Sequence, residues 1–281
     1  MKSVAEAFEV SRSNQHSKMV LGSRKRQRYG CCATDNNYLP LIREIVRERP
    51  AYGYRRITTL LNRHLTVEGL PRVNVKRIYR IMRVNKLLLP KHTGIPRRPH
   101  TGVIRTERSD MRWCSDIMEI GCRNGERVRI AFSLDCCDRE VLSYVATTGG
   151  IDGNMVRDLM LDSVHTRFKG ADRVPKPIEW LSDNGSAYIA DATKAFGELL
   201  GLTVCTTSYR SPESNGMAEA FVKTFKRDYI GASGANDALS LMKALPGMFA
   251  DYNENAPHKG LKMLSPREYR RLQNKLEGCP V

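Results

Sequence analysis

No stretch of the chain approaches the ~18 uninterrupted apolar residues that a membrane-spanning helix needs, which excludes a transmembrane protein. The opening MKSVAEAFEV carries glutamates and no long apolar core, so no secretory signal is expected. Cysteine is present, but in no metal-binding pattern. Cys31, Cys32, Cys114, Cys122, Cys136, Cys137, Cys205 and Cys279 form no Cys-x-x-Cys, and none pairs beside a histidine pair at zinc-ligand spacing. Scattered thiols of this kind make no disulfide scaffold either, and reduced cysteines in a cytoplasm are the simpler expectation. Internal repeats and low-complexity segments are lacking. Acidic residues are scarce at one end only: residues 1–110 hold 8 Asp+Glu against 24 Lys+Arg, whereas 111–281 hold 22 of each.

A length of 281 residues exceeds one average domain, so two units with a sizeable core are expected. With 41% hydrophobic and 27% charged residues the composition is that of a globular protein. The formal net charge of +16 lies wholly in the first 110 residues. A module this basic suits a polyanion, because each phosphate contact releases condensed counterions. A merely solubilising surface is the competing account. An anionic membrane fits less well, since no amphipathic stretch joins bulky apolar anchors to a lysine face.

Residues 3–19 read as two short helices resembling the later half of a helix-turn-helix, and 24–30 (RKRQRYG) as a basic arm. Residues 38–64 and 73–88 are predicted helical. On an ideal wheel, Ile78, Tyr79 and Met82 fall within about 60° of Val75, and Lys76, Arg80 and Arg83 form a basic stripe beside them. That stripe is either a solvated flank or a face laid along a phosphate backbone. KHTGIPRRPHTG (91–102) has the proline and glycine content of a boundary. Strands are then predicted over 112–122, 127–137 and 140–148, followed by a helix (151–168), a strand (177–183), a helix (190–200) and a strand (201–208). Helices near 214–230, 236–252 and 265–276 complete the pattern. The fold class is α/β, a mixed sheet with helices on its faces, preceded by a small all-α region. The expected division is 1–30, a partial helix-turn-helix and basic arm; 31–90, a helical domain suited to DNA; 91–108, a linker; and 109–281, the mixed-sheet domain with C-terminal helices.

Three carboxylates stand out. Asp116 sits inside an apolar strand pattern, where it either faces solvent or needs a partner. Asp183 closes a strand and opens DNGS, where Asn184-Gly185 readily accepts positive φ in a tight turn. Glu219 follows SPESNG on a helix whose packed stripe is Ala218, Phe221, Val222, Phe225 and Tyr229. It falls about 100° from Ala218, at the border of that stripe, with Lys223 and Lys226 on its own flank. Singly, each has a bland account; for Glu219 it is an i,i+4 pair with Lys223. Together, acids at strand centre, strand end and helix can converge at one rim of the sheet. Oxygen-only ligands of that kind suit two Mg²⁺ (or Mn²⁺) ions, which activate an attacking oxygen and stabilise a leaving one.

Between Asp183 and Glu219 lie 35 residues, with Asp116 ahead of them on the first strand. This spacing resembles the D,D-35-E signature of the retroviral integrase and transposase superfamily. TSYRSPESNGMAEAFVKTFK resembles its Tyr-x-x-Pro-x-Ser-x-Gly-x-x-Glu segment. More narrowly, AYGYRRITTLLNR (51–63), RVNVKRIYRIM (72–82) and YNENAPHKGLKMLSPREY (252–269) resemble second-reading-frame (OrfB type) transposases of bacterial insertion sequences. The likeness covers residues 38–270. Ser115 and Met118 stand where Thr is common in the family, and are read as neutral.

The resemblance implies a ribonuclease-H-like core with Asp116, Asp183 and Glu219 as catalytic metal ligands. It implies DNA contacts by Lys223, Lys226, Asn184, Gly185 and the Tyr209–Gly216 loop, including Tyr209 and Asn215. The implied chemistry is metal-dependent cleavage that frees a 3′-OH at the element end. That hydroxyl then attacks a phosphodiester directly, with no covalent enzyme intermediate. A homo-oligomer on DNA, joining element ends to target, and fusion to or association with an upstream first-frame DNA-binding protein are also implied, in a bacterial cytoplasm. Two rival readings remain: a metal-dependent nuclease that cuts without joining, and a DNA-binding regulator with no catalysis.

Overall fold

The computed structural model describes residues 35–90, 106–206, 216–231 and 234–277. The expected helices of 3–19, the basic arm, Tyr209, Asn215 and nearly all of the linker lie outside them. The first described helix is α1 (Leu39–Glu48), followed by α2 (Tyr54–Val67) and α3 (Val75–Val84). The helical stretch expected over 38–64 is broken into α1 and α2. Pro50 has no N–H to continue a helix, and Gly53, extended at φ −75 and ψ 164, starts α2 afresh. Asn62 fixes the α2–α3 connection: its amide donates to Val73 O at 3.0 Å and its carbonyl accepts Val73 N–H at 2.7 Å. Asn74 caps α3 by accepting Lys76 N–H at 2.8 Å.

On α3 the buried stripe is Ile78, Ile81 and Met82. Val75 and Tyr79, expected on the packed face, are 39% and 38% exposed. The stripe is rotated because Ile57, Leu61 and Leu65 of α2 meet the Ile78–Ile81–Met82 side, leaving Tyr79 to pack edge-on against Tyr54 at 5.0 Å.

The sheet comprises β1 (Arg112–Gly121), β2 (Arg127–Asp135), β3 (Val141–Thr147), β4 (Ile178–Ser182) and β5 (Leu202–Thr206), in the order β3-β2-β1-β4-β5. The β1–β2 and β2–β3 pairs are antiparallel, and β1–β4 and β4–β5 are parallel. Crossing between the parallel strands are α4 (Gly153–Arg167), the short α5 (Ser186–Ile189) and α6 (Asp191–Leu199). After β5 come α7 (Gly216–Phe225), a π-helical turn (Lys226–Ile230), α8 (Ala238–Glu254) and α9 (Pro266–Glu277). Among the described residues no helix is long and apolar enough to cross a membrane.

Strand alternation separates two cores. Trp113, Ala131, Ile178, Trp180 and Leu202 meet Val156, Leu159, Met160 and Val164 of α4 on one face. Cys114, Met118, Ile120, Ile130 and Phe132 meet α7 and α8 on the other. Phe221 of α7 anchors the second core, 4.5 Å from the ring of Phe132 and 5.0 Å from that of Tyr252. Such aromatic pairs contribute about 0.5–1.5 kcal/mol each beyond the apolar area they bury.

Ion pairs tie the elements together. The side chain of Arg167, at the end of α4, is 0% exposed and meets Asp110, Asp135, Asp138 and Glu140. Glu140 also receives Arg267 at 2.7 Å and Arg270 at 3.2 Å from α9. The helical region meets the remainder through arginines. Arg49 donates to both oxygens of Asp251 at 2.7 and 2.6 Å, Arg56 to Asp228 at 2.7 Å, and Arg63 to Glu268 and, at 2.7 Å, to Asn255 O.

Candidate active site

Asp116 shares its strand face with Cys114 and Met118, the face covered by α7 and α8. Its cross-strand partner is Phe132, the residue that packs against Phe221. The helix bearing Glu219 therefore lies over the strand bearing Asp116. In the parallel pair, Cys114 of β1 stands beside Leu181 of β4, so Asp116, two residues on in β1, and Asp183, the first residue past the end of β4, lie at the same edge of the pair. The sheet topology thus brings together acids that are 67 residues apart in sequence.

The local chemistry differs among the three. Asp116 is half-buried and its Oδ1 accepts Ile117 N–H at 2.7 Å. Burial pushes its carboxyl above the usual range, the Ile117 bond opposes this, and the charges of Asp183 and Glu219 push it further; Lys226 pulls it back. Asp183, Glu219 and Lys226 are therefore each within electrostatic reach of Asp116. Asp183 is exposed, and its Oδ1 accepts Gly185 N–H at 3.0 Å. The side chain of Glu219 is 47% exposed and lies 3.6 Å from Lys223 Nζ, the i,i+4 pair read from the sequence. Among the described residues no group of three His, Cys, Asp or Glu side chains is gathered closely enough to hold a metal ion.

The donor set nevertheless suits a hard cation. It is all oxygen, it crowds negative charge on a half-buried carboxylate, and its most loosely held member is an exposed glutamate whose lysine pair is weak. Asp116, Asp183 and Glu219 are the residues that would hold such an ion.

The turn after β4 is not the one expected. Gly185 has φ −61 and ψ 141, and no positive φ occurs at Asn184 or Gly185. The glycine serves close approach instead: a Cβ there would lie 3.0 Å from Asp183 Oδ1 and 3.5 Å from Tyr188 Cδ2. Gly185 opens α5, where Tyr188 is buried beneath the turn.

Tyr188 and Ser115 are site residues that sequence reasoning missed. Their hydroxyls share a buried hydrogen bond of 2.7 Å, joining the residue before Asp116 to the helix after Asp183. Ser115, read as neutral from the sequence, is thus a structural partner. A serine inside an apolar strand was the available signal; the distant tyrosine gave none. Of the other candidates, Lys223 is exposed and Lys226 half-buried on the flank of α7, Asn184 is exposed and Gly185 half-buried beside Asp183. Lys76 and Arg83 are exposed and Arg80 half-buried on α3, on a different part of the chain from the carboxylates.

Comparison with known proteins places the chain in a family. Residues 34–93 match the family model of an HTH-like domain, 106–212 that of an integrase core domain, and 200–266 a further integrase core domain model. The InsD transposase for insertion element IS2A/D/F/H/I/K of Escherichia coli is 49% identical over 239 residues, covering 84% of this chain and 79% of the relative. The InsD transposase for IS2-9 of Escherichia coli K12 is also 49% identical over 239 residues, covering 84% and 78%. Among solved structures, a chain of the simian T-cell lymphotropic virus intasome in complex with PP2A regulatory subunit B56 gamma aligns over 74% of this chain and 70% of its own, at 16% identity and a TM-score of 0.49. The HTLV-2 integrase catalytic core domain in complex with magnesium aligns over 59% and 99%, at 14% identity and a TM-score of 0.44. With a helix-turn-helix-like region ahead of an integrase core, and close identity across most of both sequences, the chain belongs to the insertion-element transposases, polynucleotidyl transferases that carry out DNA transposition.

Proposed function

We propose that this transposase cuts DNA at the ends of an insertion element and joins the freed 3′-OH to target DNA, with Asp116, Asp183 and Glu219 as the ligands of two Mg²⁺ (or Mn²⁺) ions. The observation that carries this reading is the placement of the three acids: Asp116 on β1, Asp183 just past the end of its parallel neighbour β4, and Glu219 on the helix packed over that face of the sheet. When bound, the ions would polarise the scissile phosphate and lower the cost of a hydroxide or 3′-oxygen nucleophile. The chain's own residues hold the geometry: Ser115 and Tyr188 tie the strand of Asp116 to the turn of Asp183, and Phe221 seats the helix of Glu219. Lys226, whose charge already acts on Asp116, and Lys223 stand where a phosphate backbone would run past the acids. Asn184 and Gly185 line the same turn, and Tyr209 and Asn215 belong to the segment leading into α7.

We assign DNA contacts away from the site to Lys76, Arg80 and Arg83 of the helical region, residues 31–90. The segment 1–30 would add a basic arm, 91–108 a linker, and 109–281 the catalytic domain. Bridging of two element ends calls for a homo-oligomer. An upstream first-frame protein would supply end recognition, and the setting would be the bacterial cytoplasm, where the DNA lies.

The test is a strand-transfer assay on labelled element ends, with and without a fused first-frame partner, in Mn²⁺. Asp116→Asn, Asp183→Asn and Glu219→Gln should each abolish cleavage and joining while leaving DNA binding. Near-wild-type joining by any variant removes that residue from the site. Cutting of DNA without use of supplied 3′-OH ends would identify a nuclease, and no cleavage by the wild type under either condition a DNA-binding regulator.

A further inference from the structure

The helix carrying Glu219 does not end freely. α7 passes directly into the π-helical turn Lys226–Ile230; the helical region holds Asp228 of that turn directly and Tyr229 only by way of Asp251 on α8. Asp228, its side chain 1% exposed, accepts Arg56 Nη1 at 2.7 Å. Tyr229 donates its hydroxyl to Asp251 at 2.7 Å, and Asp251 accepts both terminal nitrogens of Arg49. Arg56 lies on the ring of buried Tyr52, 3.5 Å from its centroid.

Stability alone is a poor account of the Arg56 contact. Among the described residues its Nε and Nη2 are buried with no hydrogen-bond partner. An ion pair so placed loses much of its Coulomb gain to desolvation, and one donor is a poor return for a buried guanidinium. What the contact does fix is where the π turn sits. The π geometry is rare, and here it closes the helix that carries Glu219, beginning at Lys226. Phe225, immediately before the turn, stacks on Phe249 at 4.7 Å, so the end of α7 is packed against α8 where the turn begins.

We propose that Arg56, acting through Asp228, is a positioning residue that sets the α7 helix over the strand acids and so couples the helix-turn-helix-like region to the metal site. The proposal rests on the reading of Asp116, Asp183 and Glu219 as that site. It assigns Arg56 no contact with DNA or with an ion.

Three measurements on the full chain test it. The first is Mn²⁺ binding without DNA, read from the spin-resonance signal of the free ion. Arg56→Gln should weaken it on the order of tenfold, as the loss of outer supports around metal ligands does. The second is hydrogen exchange of the α7 amides, which should quicken in Arg56→Gln with or without metal. The third is affinity for an element-end duplex, which should stay within about threefold of wild type, whereas loss of a phosphate contact also flattens the salt slope. Arg56→Lys, keeping the charge, should recover most of the Mn²⁺ binding. If Arg56→Gln does not fold, the near-isosteric Asp228→Asn is read by the same three criteria. A variant that melts lower but binds Mn²⁺ and protects α7 as the wild type does would reduce Arg56 to a structural role and overturn the proposal. If Asp116→Asn binds Mn²⁺ as well as the wild type, the metal-site reading fails. The exchange of α7 still decides whether Arg56 positions it.

Discussion

The hydrogen bond between Ser115 and Tyr188 makes a quantitative prediction about how the two strand acids are held. Both residues are buried, and the bond is 2.7 Å long. Ser115→Ala leaves the phenol hydroxyl of Tyr188 in a dry pocket without its partner, at a cost of about 1–3 kcal/mol. Tyr188→Phe removes the hydroxyl itself and costs less, about 0.5–1.5 kcal/mol. In a unit of this size each kcal/mol corresponds to about 2–4 °C of thermal midpoint. The double variant should cost less than the two single ones added, by a coupling of about 0.5–3 kcal/mol. Thermal unfolding followed by circular dichroism gives all three values. In parallel, single-turnover cleavage by Tyr188→Phe, assayed well below its midpoint, should fall on the order of tenfold or more, since shifts of about 1 Å at a reacting centre cost that much. Strict additivity in the cycle, with cleavage unchanged, would refute the idea that this bond ties Asp116 to the Asp183 turn.

Asp116→Asn should raise the thermal midpoint of the metal-free protein at pH 8, because burial and the neighbouring acids hold the Asp116 carboxyl above its ordinary value. For such a group, stability is fully present below the unfolded-state value and is lost as pH rises through the folded one, so the gain should vanish toward pH 3; a gain independent of pH would contradict this cause. Gly185→Ala keeps an allowed φ of −61 but places a Cβ 3.0 Å from Asp183 Oδ1. It should fold normally yet lose most Mn²⁺-dependent cleavage, and full activity would show that this rotamer of Asp183 is not the working one. Arg167→Met takes from Asp110, Asp135 and Asp138 the only arginine they meet among the described residues, leaving Glu140 to Arg267 and Arg270, and should cost about 3–5 kcal/mol in urea denaturation; a loss below about 1 kcal/mol would mean that the network relaxes into water.

Much of this was legible because it is local. Apolar runs between short polar turns located β1, β2 and β3 to within two residues, and the Ala218–Phe221–Phe225 stripe oriented α7 correctly. The three candidate acids were singled out by their spacing and the resemblance it carries, which no composition argument supplies. What escaped was set by partners far along the chain. Ser115 acquires its meaning from Tyr188, 73 residues away, and Arg56 from Asp228, 172 away. The Asn184-Gly185 turn was misjudged for a related reason: glycine answers both positive φ and close approach, and only the position of the Asp183 carboxylate tells them apart. The packed side of α3 shifted because the wheel was anchored on Val75, whereas α2 selects Ile81.

The arginines that fasten the helical region have a consequence for the charge asymmetry of the chain. Arg49, Arg56 and Arg63 belong to the strongly cationic N-terminal portion, yet each already faces an aspartate or glutamate drawn from the balanced remainder. Part of the positive excess is therefore internal adhesive, invisible to a polyanion passing outside. The face left for phosphates is narrower than a tally of residues implies, and the near-neutrality of the C-terminal portion conceals acids already engaged from within.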